Sequence, residues 1–131
     1  RVGPAGGAPR LVAAAPKGTR LASLAWDGVR VLSVDTRGRR LVEIAEDGSF
    51  LGAAPLSALE RPSAAAANRC GEIAVLDERS GDVVLLDPSG AILDRFALAE
   101  PGRGGAEALA LGLDGSVEVL VDGGGRLVRF F

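Results

Sequence analysis

Short apolar runs alternate with polar turns along most of this chain, and their length points to one kind of element. The stretch from Glu72 to Phe96 shows the pattern most plainly. Ile73 to Leu76, Val83 to Leu86 and Ala91 to Phe96 are apolar runs, the last broken by Asp94 and Arg95, and the polar segments Asp77 to Asp82 and Asp87 to Gly90 separate them. Runs this short, bounded by Asp, Gly, Ser and Pro, predict strand, turn, strand, turn, strand. Upstream, Leu21 to Ala25, Val29 to Val34, Leu41 to Ala45 and Phe50 to Ala53 repeat the pattern, with turns at Asp27-Gly28, Asp35 to Arg40 and Asp47-Gly48. Helical periodicity is absent throughout. Residues 1–9, rich in Gly, Pro and Ala, are expected to form a flexible leader. Arg10 to Ala14 reads as a further short strand, closed by a turn at Pro16 to Thr19.

The units are copies of one another. Laid 42 positions apart, Asp35 falls on Asp77 and, without a gap, Val31 on Ile73, Leu41 on Val83, Ile44 on Leu86, Gly48 on Gly90, Leu51 on Leu93 and Leu56 on Leu98. A third copy, 87 positions from the first, carries Asp27-Gly28 onto Asp114-Gly115 and Val34-Asp35 onto Val121-Asp122. It then loses one turn residue before Leu127. A period in the low forties with four short strands per unit predicts β-propeller blades rather than a helical solenoid. The expected fold is therefore all-β: a β-propeller segment of about three four-stranded blades. It should span residues 10–131, with repeats near 21–56, 63–98 and 105–131.

Blade geometry makes further expectations specific. A sheet covered on both faces should be apolar at successive positions of its middle strands, as Val83 to Leu86 and Val119 to Val121 are. Small residues suit the innermost strands that crowd around an axis, and Leu21 to Ala25, Ala64 to Ala67 and Ala108 to Gly112 supply them. The third repeat stops at its third strand, Leu127 to Phe131, while Arg10 to Val12 aligns with the fourth-strand residues Arg95 to Ala97. The N-terminal strand is thus expected to supply the fourth strand of a blade. Three blades fall short of the ~4 to 8 that close a ring, so the segment is expected to be a half-ring that self-associates or meets another propeller half. Its two end faces should expose Val31, Leu41, Leu120 and Phe130.

The residues Cys70 to Asp77 (CGEIAVLD), Asp82 to Asp87 (DVVLLD) and Ser89-Gly90 resemble the NHL repeat. The chain is unlike WD repeats, since no Trp-Asp ends a strand in each unit, and unlike kelch, since no double glycine precedes a spaced Tyr and Trp. The resemblance implies a ring of about six blades, reached here by two copies about a two-fold axis. It also implies a protein-interaction or scaffolding module with a protein partner. Two alternatives stand beside it. Some NHL propellers bind RNA or acidic partners through a basic rim. Propeller lactonases and related hydrolases hold a divalent cation with Glu, Asn and Asp at the channel mouth, a role that would fall here to Asn68, Glu107 and Asp114.

Composition narrows these choices. With 131 residues, 47% of them hydrophobic and 24% charged, the chain can bury a core and does not read as disordered. A net charge of -2 supplies no global attraction to a polyanion, so a nucleic-acid partner is not expected. The longest apolar runs, such as Leu11 to Ala15, fall far short of the ~20 residues that span a bilayer, so membrane insertion is not expected either. Cys70 stands alone and His is absent, which excludes an internal disulfide and removes the commonest general base and metal ligand. No catalytic residue, metal ligand or cofactor is assigned. The chain begins at Arg1 and contains no Met, so a processed product or an excerpt is expected and the compartment is left open.

The candidate chemistry lies in the turns. Asp35, Asp77 and Asp122 recur after the second strand of each unit; carboxylates so repeated can serve metal binding or acid–base work, but Asp at a strand end also caps the turn that follows. Turn capping is the preferred reading, because recurring architecture explains a recurring Asp. Arg37, Arg39, Arg40, Arg61, Arg79 and Arg103, with Glu78, are expected along one rim, as a binding surface or as solvated charge among Glu60 and Asp82. Trp26 joins that set as a residue lining the axial opening or filling a gap between blades. Cys70, with no His to lower its pKa, reads as a bystander.

Overall fold

The apolar runs are strands. The structure, a computed structural model, describes residues 15–87, 89–97, 108–121 and 125–130. In chain order the strands are β1 (Leu21–Trp26), β2 (Val31–Asp35), β3 (Arg40–Ile44), β4 (Phe50–Pro55), β5 (Pro62–Ala67), β6 (Ile73–Asp77), β7 (Asp82–Leu86), β8 (Ile92–Ala97), β9 (Ala108–Leu111), β10 (Val117–Val121) and β11 (Arg126–Phe130). They form three antiparallel meanders: blade 1 (β1–β4), blade 2 (β5–β8) and blade 3 (β9–β11). Strand β5 lies between β1 and β9, so the Ala-rich innermost strands meet at the axis, where only small side chains leave room for neighbours. This is a partial β-propeller, all-β among the described residues.

The repeat extends to its irregularities. The pairing of β3 with β4 slips between Glu43 and Ile44, and that of β7 with β8 slips at the equivalent Leu85 and Leu86. Each bulge leaves one leucine, Leu51 or Leu93, without a cross-strand partner, and each is 53% exposed. The adjacent turns need a left-handed residue, and Gly48 (φ 91°) and Gly90 (φ 87°) supply it without steric cost.

Blade 2 is packed on both faces. Ile73, Val75, Val84 and Leu86 meet Leu32, Val34 and Leu41 of blade 1, while Ala74, Leu76 and Val83 meet Val117, Val119 and Val121 of blade 3. Consecutive residues of β6 thus point to different neighbours, which is why all five are buried. Burial of this kind stabilises by roughly 1.5–3 kcal/mol per large aliphatic side chain.

Three expectations are corrected. Strand β10, expected to be covered throughout, alternates between buried and half-buried, because only its blade 2 side is covered. Leu41 and Phe130, expected on free end faces, both turn toward blade 2, and Phe130 stacks on Phe96 with ring centroids 5.0 Å apart. Leu41 pairs with Val34, on the face opposite the Val31–Ile44 pair, and for Phe130 the cause is register. Val117 pairs with Leu111 at the hairpin position where Val31 pairs with Trp26, 86 positions apart rather than the aligned 87, and a one-residue slip exchanges the two faces of a strand. The leader 1–9, the strand expected at 10–14 and its place in a blade lie outside the described residues.

Candidate functional site

The register divides each blade into two ends. In blade 1, Leu21 pairs with Asp35 while Trp26 pairs with Val31, so the β2–β3 turn lies at one end and the β1–β2 turn at the other. At the first end sits a buried carboxylate in each of two blades. Asp35 Oδ1 accepts hydrogen bonds from the backbone N–H groups of Arg20 (3.1 Å), Arg37 (3.1 Å) and Gly38 (3.0 Å), and its Oδ2 accepts from Arg40 Nε (3.1 Å) and Nη2 (2.8 Å). A Cβ on Gly38 would collide with Asp35 Oδ2, so the tight turn needs glycine there. Asp77 repeats the arrangement, accepting from the N–H groups of Glu60 (2.9 Å), Arg61 (3.0 Å) and Arg79 (3.1 Å).

These carboxylates therefore cap their turns, and they also reach back to the residue that enters the innermost strand. Burial alone would push the Asp35 carboxyl up, but the hydrogen bonds from Gly38, Arg20, Arg40 and Arg37 together hold it down, at about 2. The same contest leaves Asp77 below the ordinary carboxylate range, with burial opposed by the N–H groups of Glu60, Arg61, Arg79 and Ser80. An acid–base role near neutral pH would need a value raised toward neutrality, the opposite direction. Asp122 lies outside the described residues.

The predicted rim is brought together in part. Arg37 and Arg39 project from the β2–β3 turn, exposed, and Arg39 adopts a left-handed backbone (φ 52°). Arg40 is tied to Asp35, and Arg79 pairs with Glu60 at 3.0 Å. Arg61 and Glu78 lie at the same end, where they border a groove of about 410 Å³ between blades 1 and 2, lined also by Arg20, Ala22, Thr36, Pro62 and Ser63. Trp26 lies apart from them: half-exposed, it ends β1 at its pairing with Val31, about 16 Å of strand from this turn. Arg103 lies outside the described residues.

The residues considered for a cation are placed differently. Asn68 is buried with its amide fully engaged. Its Nδ2 donates to Glu72 Oε1 (3.0 Å) and to the Gly112 carbonyl of blade 3 (3.0 Å), and its Oδ1 accepts from the N–H groups of Cys70 (3.0 Å) and Glu72 (3.1 Å). Asp114 is exposed and accepts from Ser116 N (2.9 Å) and Oγ (2.6 Å), which lowers its pKa. Asp47 and Asp87 make the same turn with Ser49 and Ser89. These are turn-closing contacts, readable in retrospect from Asp-x-Ser. Glu107 lies outside the described residues, and no group of three or more His, Cys, Asp or Glu side chains comes together among the described ones. Cys70 is exposed.

Arg20, Thr36 and Ser63 were not singled out from sequence. Arg20 and Arg61 hold equivalent places before β1 and β5, but they are 41 positions apart, and the ungapped 42-residue alignment puts Arg20 on Pro62. The extra residue lies in the β5–β6 turn, which has five residues between its strands where the β1–β2 turn has four. A gap placed there would have exposed the pair.

No protein-family model matches the chain, and no curated protein is significantly similar to it. Solved structures are similar in fold. A streptogramin B lyase superposes with a TM-score of 0.70 at 12% identity, over 88% of this chain and 39% of that one. Virginiamycin B lyase from Staphylococcus aureus gives 0.68 at 16% identity, over 88% and 39%. Glutaminyl cyclase from Myxococcus xanthus gives 0.62 at 18% identity, over 88% and 55%. At such identities the likeness shows the propeller fold, and the chain spans about two fifths of the length of the two lyases.

Proposed function

We propose that this chain is a protein-interaction module: an arc of NHL-like propeller blades that docks against further blades, supplied by a second copy of itself, to complete a ring. One recurring side-chain pair carries the reading. Val34 pairs with Leu41 in blade 1, Leu76 with Val83 in blade 2 and Leu120 with Leu127 in blade 3, each across the middle two strands on the face toward the following blade. The first pair is 0% and 3% exposed under blade 2, and the second 1% and 0% under blade 3. Leu127 is 62% exposed and Leu120 half-buried. An apolar pair that two blades cover and the third leaves open is the footprint of one more blade.

Light scattering on the purified chain tests this. A dimer that Leu127→Asp converts to a folded monomer supports it; a stable, well-folded monomer at every concentration overturns it, and a heterodimer with another propeller half would replace self-pairing. A second reading, an arc of a propeller enzyme such as a metal-dependent hydrolase, draws support from the lyases and the cyclase among the similar folds. It predicts a bound divalent cation by elemental analysis and lactone or ester turnover abolished by chelation. The engagement of Asn68 weighs against that reading.

A further inference from the structure

The groove between blades 1 and 2 has a charge arrangement that neither capping nor ring closure uses. Arg20 and Arg61 both line it, one from each repeat. Each is anchored through its backbone on both sides. The N–H of Arg20 is held by Asp35 and its carbonyl accepts from Thr36 N at 2.9 Å; the N–H of Arg61 is held by Asp77 and its carbonyl accepts from Glu78 N at 2.9 Å. The repeat thus fixes where each guanidinium stem begins.

Among the described residues neither guanidinium has a hydrogen-bond or ion-pair partner, whereas Arg30, Arg40, Arg79 and Arg95 are all paired with carboxylates. Two like charges facing one groove repel, and an oxyanion between them removes the repulsion while satisfying planar N–H forks that suit its geometry. Ser63 adds a hydroxyl donor at the same place, while the Thr36 hydroxyl donates to the Arg20 carbonyl at 3.3 Å and helps fix where that side chain begins. Glu78 is the one carboxylate in the lining, so it opposes a second negative charge nearby.

We propose that this groove is a binding site for a small oxyanion ligand, a carboxylate or phosphate group held between Arg20 and Arg61 with Ser63 as a hydroxyl donor. Glu78 limits the charge the site accepts and selects ligands that offer it a hydrogen-bond donor. The site lies away from the Leu120–Leu127 face, so its success or failure is independent of ring closure.

The experiment is an NMR titration of the full chain with inorganic phosphate and, separately, with succinate, at constant ionic strength against chloride. Saturable shifts at the Thr36 and Ser63 amides are expected for at least one of the two, and which anion saturates assigns the ligand as phosphoryl or carboxylate. Arg20→Gln and Arg61→Gln should each weaken that binding about tenfold, and Glu78→Gln should tighten it. Absence of saturable binding by both anions overturns the proposal, as does binding that both arginine variants leave unchanged. Should one arginine variant fail to fold, the other and Glu78→Gln, which is exposed, still decide.

Discussion

Blades 2 and 3 present the same cross-strand pair to the blade that follows, and they differ in whether that blade is there. Leu76 and Val83 are sealed by Val117, Val119 and Val121, whereas Leu120 and Leu127 meet solvent. The sheets are built alike, so the difference lies in the neighbour. In a propeller the hydrophobic effect acts between blades rather than within them, because a single sheet cannot bury its own faces. The chemistry at the ends of the strands follows the same logic with different means. Asp35 and Asp77 hold equivalent turns, but Asp35 is neutralised by Arg40 across β2–β3, whereas Asp77 faces Asp82, whose charge is met instead by Arg95 at 2.9 Å.

The largest test of the comparison is truncation of the two pairs. Leu76→Ala should cost about 2–5 kcal/mol in urea denaturation, since it opens a cavity between two packed blades. Leu127→Ala should cost under ~1 kcal/mol in dilute solution, where little surrounds it. Similar losses at both positions would erase the distinction between covered and open pairs.

The buried carboxylates come next in size. Asp77→Ala strands the N–H groups of Glu60, Arg61 and Arg79 and should cost about 2–3 kcal/mol, with Asp35→Ala close to it. A loss at one and not the other would show that the two turns are not equivalent. Both carboxyls lie below the ordinary value of 3.8 in the folded chain, so their contribution is present above that pH and is lost as pH falls below it, toward about 2 for Asp35. Acid unfolding followed by circular dichroism should fall in that window. Replacing Arg40 with Gln should move the Asp35 part of it upward.

A smaller effect comes from making blade 2 imitate blade 1. Under the 42-residue repeat Asp82 corresponds to Arg40 and Arg95 to Ala53, so the double variant Asp82→Arg, Arg95→Ala recreates the first blade's ion pair beside Asp77. It should stabilise by up to about 1 kcal/mol and lower the Asp77 pKa further. A net loss would mean that the Arg95 bridge does more than neutralise Asp82.

Much of this fold is legible in the chain because its signals are local. The Asp-Gly pairs and the 42-residue match of Val31 to Leu56 with Ile73 to Leu98 place strands and turns without any tertiary knowledge. The faces were harder to read. Leu41 points toward blade 2 because it pairs with Val34, on the face opposite the Val31–Ile44 pair, and Phe130 does so because a slip of one residue in the third copy exchanges inside and outside while leaving the apolar pattern unchanged. The groove was hidden by the one-residue difference between the β1–β2 and β5–β6 turns, which separates Arg20 from Arg61 in an ungapped comparison. In the sequence Trp26 stands simply after an innermost strand, and only the pairing with Val31 shows which end of the blade it occupies.

The central claim, that Leu120 and Leu127 await a following blade, is tested most directly by the solvent accessibility of leucine methyl groups in the NMR spectrum with a soluble paramagnetic agent. Leu76 should be protected at every concentration, while Leu127 should be strongly broadened in dilute solution and become protected as the mass of the assembly rises. A Leu127 signal that stays broadened in the assembled protein, or a Leu76 signal as accessible as Leu127, would contradict the account.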